Sequence, residues 1–394
     1  MNEAAGQGMD NIDSVAGVRI GVAGSEIGYV GRPDLLLAAF DPGTTVAGTL
    51  STSATAAPPL LWTRDRLKQG ARPRGLVVNA GNANCFTGAA GMKTVDHTAH
   101  EAARLLRCHP EEIFVASTGK IGQQIDRGQM SAGLEAAYRD LNAVGWETAA
   151  QAIMTTDRFP KSATVFPEID GVSVVLHGVT KGSTMIAPGM ATTLSFLFTD
   201  AALPTNVLQA ALSEAVDETY NMLSVDSTQS TNDTILLFAT GAGPRHAGVS
   251  SAASPNFQGF RQDLRNLLGT LMGQILDDSR RDGIVLRIRV TGAETAAGAR
   301  RIARTVRDSL MVRQMVGAGE RFLLGRLIAA IGMPDETIDQ HRLDVSVGGV
   351  SVIEKGDFVS GTVVPLPDLI RDSALDIGIE LGLGSGAATG YTVA

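Results

Sequence analysis

The 394-residue sequence predicts an α/β protein with layered, mixed sheets. Segments with helical apolar spacing alternate with short apolar strand-like runs, which indicates sheets covered by helices. Turn signals such as Asp170-Gly171 join neighbouring strand-like runs, which predicts antiparallel hairpins within those sheets. Hydrophobic residues make up 44% of the chain and charged residues 19%, so a large core can form.

In the first half of the chain, strands are predicted where apolar and β-branched residues run together, and helices where apolar residues recur every three or four positions. Residues 1–14 are polar and acidic and are expected to form a flexible arm. The predicted strands are 34–40, 46–52, 75–79, 112–117, 162–166 and 172–179. The predicted helices are 60–68, 94–108, 128–142 and 146–154.

The second half follows the same alternation. A Gly/Ser/Ala/Pro-rich stretch at 244–256 predicts a loop, and the glycines of 382–386 predict a turn because no strand–helix context of a nucleotide fingerprint surrounds them. The predicted strands are 192–198, 223–226, 235–240, 284–290, 343–354, 358–364 and 376–381. The predicted helices are 204–221, 256–277, 295–309 and 320–331.

Composition and charge argue against several classes of function. The net charge is −8 and no dense Lys/Arg block occurs, so neither nucleic acid nor an acidic membrane is an expected partner. The start lacks the basic and apolar regions of a signal peptide, and no apolar run reaches membrane-spanning length. Two cysteines, Cys85 and Cys108, do not make a disulfide framework. We therefore expect a cytoplasmic enzyme.

The stretch from Lys181 to Asp200, KGSTMIAPGMATTLSFLFTD, carries the clearest chemical hypothesis. Pro188-Gly189 predicts a tight turn, after which Thr192 opens a buried strand. If the Ala191–Thr192 bond breaks, Thr192 gains an α-amine whose pKa lies near neutrality and which can act as base for its own hydroxyl. From the pattern alone, a threonine in an apolar strand is far more often an ordinary core residue.

This stretch resembles the cleavage segment of the ornithine acetyltransferase family, the glutamate N-acetyltransferases of arginine biosynthesis. The resemblance implies an N-terminal-nucleophile-like fold and self-cleavage between Ala191 and Thr192, with Thr192 carrying the acyl group. The two resulting chains would span 15–191 and 192–394 and remain associated, as a dimer of heterodimers. No metal or other cofactor is implied.

Further segments extend the resemblance from about Gly17 to the end of the chain. By resemblance, Thr118 and Gly119 form the oxyanion hole; from the pattern alone they are a simple exit from a strand. Lys120 follows them where the family usually has an apolar residue, which places a positive charge near the site. The asparagine-rich turn 79–84 also matches, although such turns are usually structural, and Cys85 beside it has no base nearby in sequence that would activate it as a thiol.

Two more segments bear on substrate binding. Thr155 opens a TTDxxPK segment and is implied to contact substrate, and Lys181 is implied to bind the substrate carboxylate. Asp157 and Lys161 of that segment could equally be a solvated turn pair, and Lys181 could be a surface charge. A VDxxxSTNDT match at 225–234 is specific, but its role stays open.

The resemblance weakens in the C-terminal half. Arg280 stands where a substrate-contacting glutamate of the family aligns, and 322–326 reads FLLGR where the family has Asn-Trp-Gly-Arg. The chain ends at Ala394, before the expected match to the family's closing segment. These departures affect recognition of the amine more than acyl transfer.

The resulting expectation is an autoprocessed acyltransferase that moves acetyl from N-acetylornithine to glutamate through a threonyl acyl-enzyme. One alternative is a divergent paralogue that transfers or hydrolyses another N-acyl amino acid or amine, which Arg280 favours. A second is a non-catalytic relative that keeps the fold as a binding module. The sequence leaves open whether acetyl-CoA is also used.

Overall fold

Two facing β-sheets form the centre of the molecule. The computed structural model describes residues 14–186, 193–281, 283–317, 324–359 and 365–394. The first sheet has the order β1-β2-β4-β5 and consists of β1 (Val18–Ala23), β2 (Leu35–Phe40), β4 (Gly75–Asn79) and β5 (Ile113–Ser117). The second has the order β3-β12-β10-β9-β6 and consists of β3 (Thr45–Leu50), β6 (Lys161–Val165), β9 (Leu176–Lys181), β10 (Leu194–Thr199) and β12 (Thr234–Ala239).

Both sheets are mixed, as predicted. β4 pairs parallel with β5, and β10 pairs parallel with β12, whereas the other pairs in these two sheets are antiparallel. Alternate side chains of each strand point into the space between the sheets. There the ring of Phe40 stacks on that of Phe238 with centroids 4.4 Å apart, and Phe198 stacks on Phe238 at 5.7 Å.

Helices cover the outer faces of both sheets and complete a four-layer sandwich. α2 (Gly88–Leu106) and α3 (Arg127–Arg139) cover the first sheet, and α5 (Thr205–Glu218) and α6 (Gln258–Arg280) cover the second. The remaining helices of this part are α1 (Pro58–Lys68), against β5, and α4 (Trp146–Ala152), against β1, β6 and β9. The sheet residues that do not face the other sheet pack against these helices, so both faces of each sheet are buried.

A third sheet lies C-terminal to the sandwich, in the order β11-β18-β13-β17-β14-β15-β16. Its strands are β11 (Leu223–Ser224), β13 (Val285–Ala293), β14 (Asp344–Val347), β15 (Val350–Glu354), β16 (Asp357–Phe358), β17 (Ala374–Glu380) and β18 (Gly386–Val393). Its helices are α7 (Ala296–Asp308), α8 (Leu310–Gly317), α9 (Leu324–Ile331) and α10 (Leu366–Leu369), and the hairpin of β7 (Glu168–Ile169) and β8 (Val172–Ser173) stands apart. None of the helices described here is long and apolar enough to cross a bilayer.

The α/β class is confirmed, but several element predictions need correction. The single strand predicted at 343–354 is two strands, because Gly348 and Gly349 both have positive φ and turn the chain between β14 and β15. The strand predicted at 172–179 is likewise interrupted between β8 and β9. The elements β1, β7, α8, α10 and β18 were not predicted. Most of the predicted 1–14 arm and parts of the segments 320–331 and 358–364 lie outside the described residues.

One buried histidine gives the sandwich a predictable pH dependence. His177 in β9 is 3% exposed, stacks on the Trp146 ring at 4.2 Å, and bonds through Nδ1 to the Thr164 hydroxyl at 2.7 Å. Burial lowers the pKa of His177 from 6.5 to about 3. The folded imidazole therefore stays neutral at a pH where the unfolded chain already binds a proton, so stability is lost as the pH falls below 6.5.

We predict that protonation of His177 in the unfolded chain lowers the free energy of unfolding by about 2 kcal/mol when the pH falls from 6.5 to 5, since each pKa unit is worth about 1.4 kcal/mol. Urea unfolding at both pH values measures this loss. His177→Phe keeps a ring against Trp146 and should show a smaller fall with pH than the wild type. His100→Gln, on the exposed face of α2, is the control and should retain the wild-type fall. Equal falls in the wild type and His177→Phe would contradict the prediction.

Candidate active site

The candidate site lies where the two central sheets end side by side. β4 and β5 finish together, with Asn79 paired to Ser117, and Thr118 follows directly. In the second sheet, Lys181 is the last residue of β9 and pairs with Leu194, the first residue of β10. Lys181 Nζ donates to Thr118 Oγ1 over 3.1 Å. This bond brings together two residues that the sequence assigned to one site.

The turn that follows β5 has a backbone that only glycine fits. Gly119 has φ +129°, and a Cβ built on it would lie 2.2 Å from the carbonyl carbon of Gly81. Two backbone bonds fasten the turn to the 80–84 segment: Lys120 N donates to Gly81 O at 3.2 Å, and Ala83 N donates to Lys120 O at 2.9 Å. Thr118 and Gly119 are therefore held in place before any ligand arrives, as an oxyanion hole requires.

Asn232 also forms hydrogen bonds to this turn. They give the 230–234 motif a structural role, which the sequence had left open. Its Nδ2 donates to Ser117 O at 2.9 Å and to Ala83 O at 2.8 Å. The Ser117 hydroxyl in turn donates to Asn79 Oδ1 at 2.6 Å. The buried Asn232 amide thus ties the entry to β12 to both halves of the turn.

Thr192 and Ala191 lie outside the described residues, which resume at Thr193. Thr193 N donates to Asp233 Oδ1 at 3.0 Å, and Thr193 Oγ1 donates to Lys181 O at 2.8 Å. Burial raises the pKa of Asp233 well above its usual range, and the Thr193 amide and Lys181 only partly offset that effect. The residue after the predicted nucleophile is therefore anchored between Lys181 and Asp233.

Asp157 organises the segment from Thr155 to Lys161, which is predicted to contact substrate. Its Oδ1 accepts from Lys161 Nζ and from Gly182 N, both at 2.7 Å, and its Oδ2 accepts from Thr155 N at 3.0 Å. Burial alone would raise the pKa of Asp157, but the positive charges of Lys181 and Lys161 outweigh it and lower the pKa. Lys161 is fully buried, which rules out the interpretation of this pair as a solvated surface turn.

Asp278, near the end of α6, is the site residue that sequence reasoning missed. Its carboxylate accepts from Lys161 Nζ at 2.5 Å and from Arg158 Nε at 3.0 Å. No local pattern marks it, because its partners lie about 120 positions earlier in the chain. Arg280, two residues later, is about one-third exposed and approaches Asp277 at 3.6 Å.

Two other residues singled out in the sequence, Lys120 and Cys85, differ in their exposure to solvent. Lys120 is exposed and directly follows Thr118 and Gly119. Cys85 is buried, with its Sγ 3.7 Å from Thr55 O. Within the described part of the chain, no group of three or more His, Cys, Asp or Glu side chains is placed to hold a metal ion.

Nearly the whole sequence is also similar to proteins of one known family. A sequence model of the ArgJ family matches residues 15–393. The chain belongs to the ArgJ family. A relative from Gluconobacter oxydans, named arginine biosynthesis bifunctional protein ArgJ, is 39% identical over 98% of this chain and 90% of its own length. The protein of the same name from Bradyrhizobium diazoefficiens is also 39% identical, over 94% and 90%.

Two crystal structures of ArgJ-type proteins are also similar in part. The ornithine acetyltransferase of Mycobacterium tuberculosis, solved with ornithine, is 30% identical and covers 45% of this chain and 94% of the solved chain, with a TM-score of 0.40. The ArgJ protein of Bacillus halodurans is 25% identical over 50% and 92%, with a TM-score of 0.46.

The buried charges of this ArgJ protein predict a large asymmetry between two adjacent aspartates. Asp278→Ala removes a partner of buried Lys161 and should cost about 3–5 kcal/mol of unfolding free energy, the usual result of breaking a buried pair from one side. Asp277→Ala is the matched control, since the Asp277 side chain is 69% exposed; its cost should stay within about 0.5 kcal/mol. Urea unfolding of both variants checks this, and similar costs would contradict the role given to Asp278.

Proposed function

We propose that this protein transfers an acetyl group from N-acetylornithine to glutamate, as a step of arginine biosynthesis. The observation that carries the proposal is the Lys181–Thr118 contact beside Thr193, in a chain of the ArgJ family. It supports the proposal because the proposed oxyanion donor and the residue after the proposed nucleophile both contact Lys181.

The chemistry follows a ping-pong order. The Thr192 hydroxyl attacks the acetyl carbonyl carbon while its proton passes to the Thr192 α-amine. Thr118 Oγ and Gly119 N donate to the oxygen that becomes negative. The C–N bond of the donor then breaks, the proton passes to the departing ornithine amine, and an acetyl ester remains on Thr192. The glutamate amine attacks that ester, receives the acetyl group and releases the Thr192 hydroxyl.

The α-amine requires cleavage between Ala191 and Thr192, which would leave one chain made of the 1–14 arm and residues 15–191 and a second chain of residues 192–394. The second sheet supports lasting association of the two chains. It pairs β10, from the later chain, with β9 from the earlier one, and β12 with β3. Separation would break both ladders and expose the stacked phenylalanine core. A dimer of such pairs in the cytoplasm is the assembly we propose.

Substrate binding is assigned to the segment around Thr155. Its amide is fixed by Asp157, which also fixes Gly182. This places Thr155 near the Lys181 end of β9. Arg280 favours the alternative of a different donor amine, because it introduces a positive charge at the C-terminal end of α6.

We predict that wild-type protein, analysed by intact mass under denaturing conditions, consists of two fragments that meet between Ala191 and Thr192. Thr192→Ala should remain a single chain and lose acetyl transfer entirely, because both steps need its hydroxyl. Thr193→Val is the matched control and should still be cut, since the Thr193 hydroxyl is bonded to Lys181 O, Thr180 Oγ1 and Ser195 Oγ and is not the proposed nucleophile.

Transfer assays on wild type with N-acetylornithine and glutamate, beside other N-acetylated amino acids, identify the donor. Turnover only on another donor would replace the arginine-pathway assignment with the divergent paralogue. A single uncut wild-type chain without transfer would support the binding module.

A further inference from the structure

The Lys181 amino group is enclosed by protein. Lys181 is 4% exposed and ends a fully buried strand, β9. Among the described residues, the hydrogen-bond partner of its Nζ is Thr118 Oγ1, at 3.1 Å. The resemblance gave Lys181 the task of binding a substrate carboxylate, but the amino group is directed at the hydroxyl of the oxyanion turn.

The two nearest carboxyl groups act on Lys181 without contacting it. Burial lowers the pKa of Lys181, while Asp157 and Asp233 act to raise it. Asp157 already accepts from Lys161, Gly182 and Thr155, and Asp233 Oδ1 accepts from Thr193. Neither forms an ion pair within 4 Å of Lys181 in the described chain. The Asp157 carboxylate favours the ammonium form of Lys181, and its own hydrogen bonds leave the Lys181 hydrogens available to Thr118.

This bond decides what the Thr118 hydroxyl can do. An ammonium group has three donors and no lone pair, so Thr118 Oγ1 accepts from Lys181 and cannot donate back to it. The Thr118 proton is then available for another acceptor. A hydroxyl oxygen that accepts from a cation also becomes a better donor, because successive hydrogen bonds polarise one another.

We propose that Lys181 is a positioning residue of the oxyanion hole, whose amino group orients and polarises the Thr118 hydroxyl so that it donates to the developing oxyanion. This inference rests on the proposed acetyl transfer and gives Lys181 a role that does not involve the substrate carboxylate. Its signature is a loss in the rate of the chemical step that does not depend on whether the donor carries a carboxylate.

Lys181→Met tests this with two acetyl donors, N-acetylornithine and p-nitrophenyl acetate, of which the second has no carboxylate. We expect kcat on N-acetylornithine to fall by about 10²–10³-fold with little change in KM, the usual effect of losing an oxyanion interaction. Acetylation by p-nitrophenyl acetate should fall by a similar factor. A raised KM for N-acetylornithine, with an unchanged rate on p-nitrophenyl acetate, would overturn the inference.

Thr118→Val supplies the coupling test. If Lys181 acts through Thr118, adding Lys181→Met to Thr118→Val should cost little further rate, whereas independent roles would give multiplied losses. Multiplied losses would contradict the inference.

Lys181→Arg keeps the test informative if Lys181→Met fails to fold or to be cut. Arginine retains the charge and binds carboxylates at least as well as lysine, but its planar guanidinium does not reproduce the position of Nζ. We expect kcat to fall and KM to hold in Lys181→Arg; a near-normal kcat would overturn the inference. If wild-type protein transfers acetyl from neither donor, the proposed function itself fails, which is a separate result.

Discussion

The site depends on one buried carboxylate, that of Asp157. A charge inside a protein is tolerated only when it is paired and hydrogen-bonded, and Asp157 satisfies this with an ammonium and two backbone amides. Those partners belong to the Thr155 segment, to the start of β6 at Lys161, and to the residue after β9. Lys161 extends the cluster to Asp278 of α6. A single buried group thereby fixes the Thr155 segment, the end of β9 and the end of a helix relative to one another.

The sandwich places this cluster beside the Thr118–Gly119 turn, the proposed oxyanion hole. Because alternate residues of every central strand face either the other sheet or a helix, both sheets are buried, and polar groups gather where the strands end. Asn79 and Ser117 end the first sheet, and Lys181 ends its strand in the second. The Lys181–Thr118 hydrogen bond connects the two sheets at this end. The residues at this end are therefore held by strands on both sides, which suits the proposed reaction because it needs donors fixed before charge develops.

Much of the sandwich is predictable from local patterns, because strands such as 75–79 and 113–117 are continuous apolar runs bounded by turn residues. The paired glycines of 348–349 are a turn signal that the apolar run around them obscured. Site residues were found through short motifs and resemblance, and the structure brings Thr118 and Lys181 together. Asp278 could not be found this way, since its role arises only when α6 packs beside the Lys161 segment. The structural role of Asn232 likewise depends on a tertiary contact with the turn after β4. Thr192, the proposed nucleophile, lies outside the described residues, so its role stays a prediction.

The measurement that tests the central claim most directly is the mass of each fragment after brief incubation with N-acetylornithine and no acceptor. A covalent threonyl intermediate predicts that the fragment beginning at Thr192 gains the mass of one acetyl group, that peptide sequencing places it on Thr192, and that added glutamate removes it. The other fragment should keep its mass. Release of ornithine with no acetyl group on Thr192 at any time, or an adduct on another residue, would contradict the account.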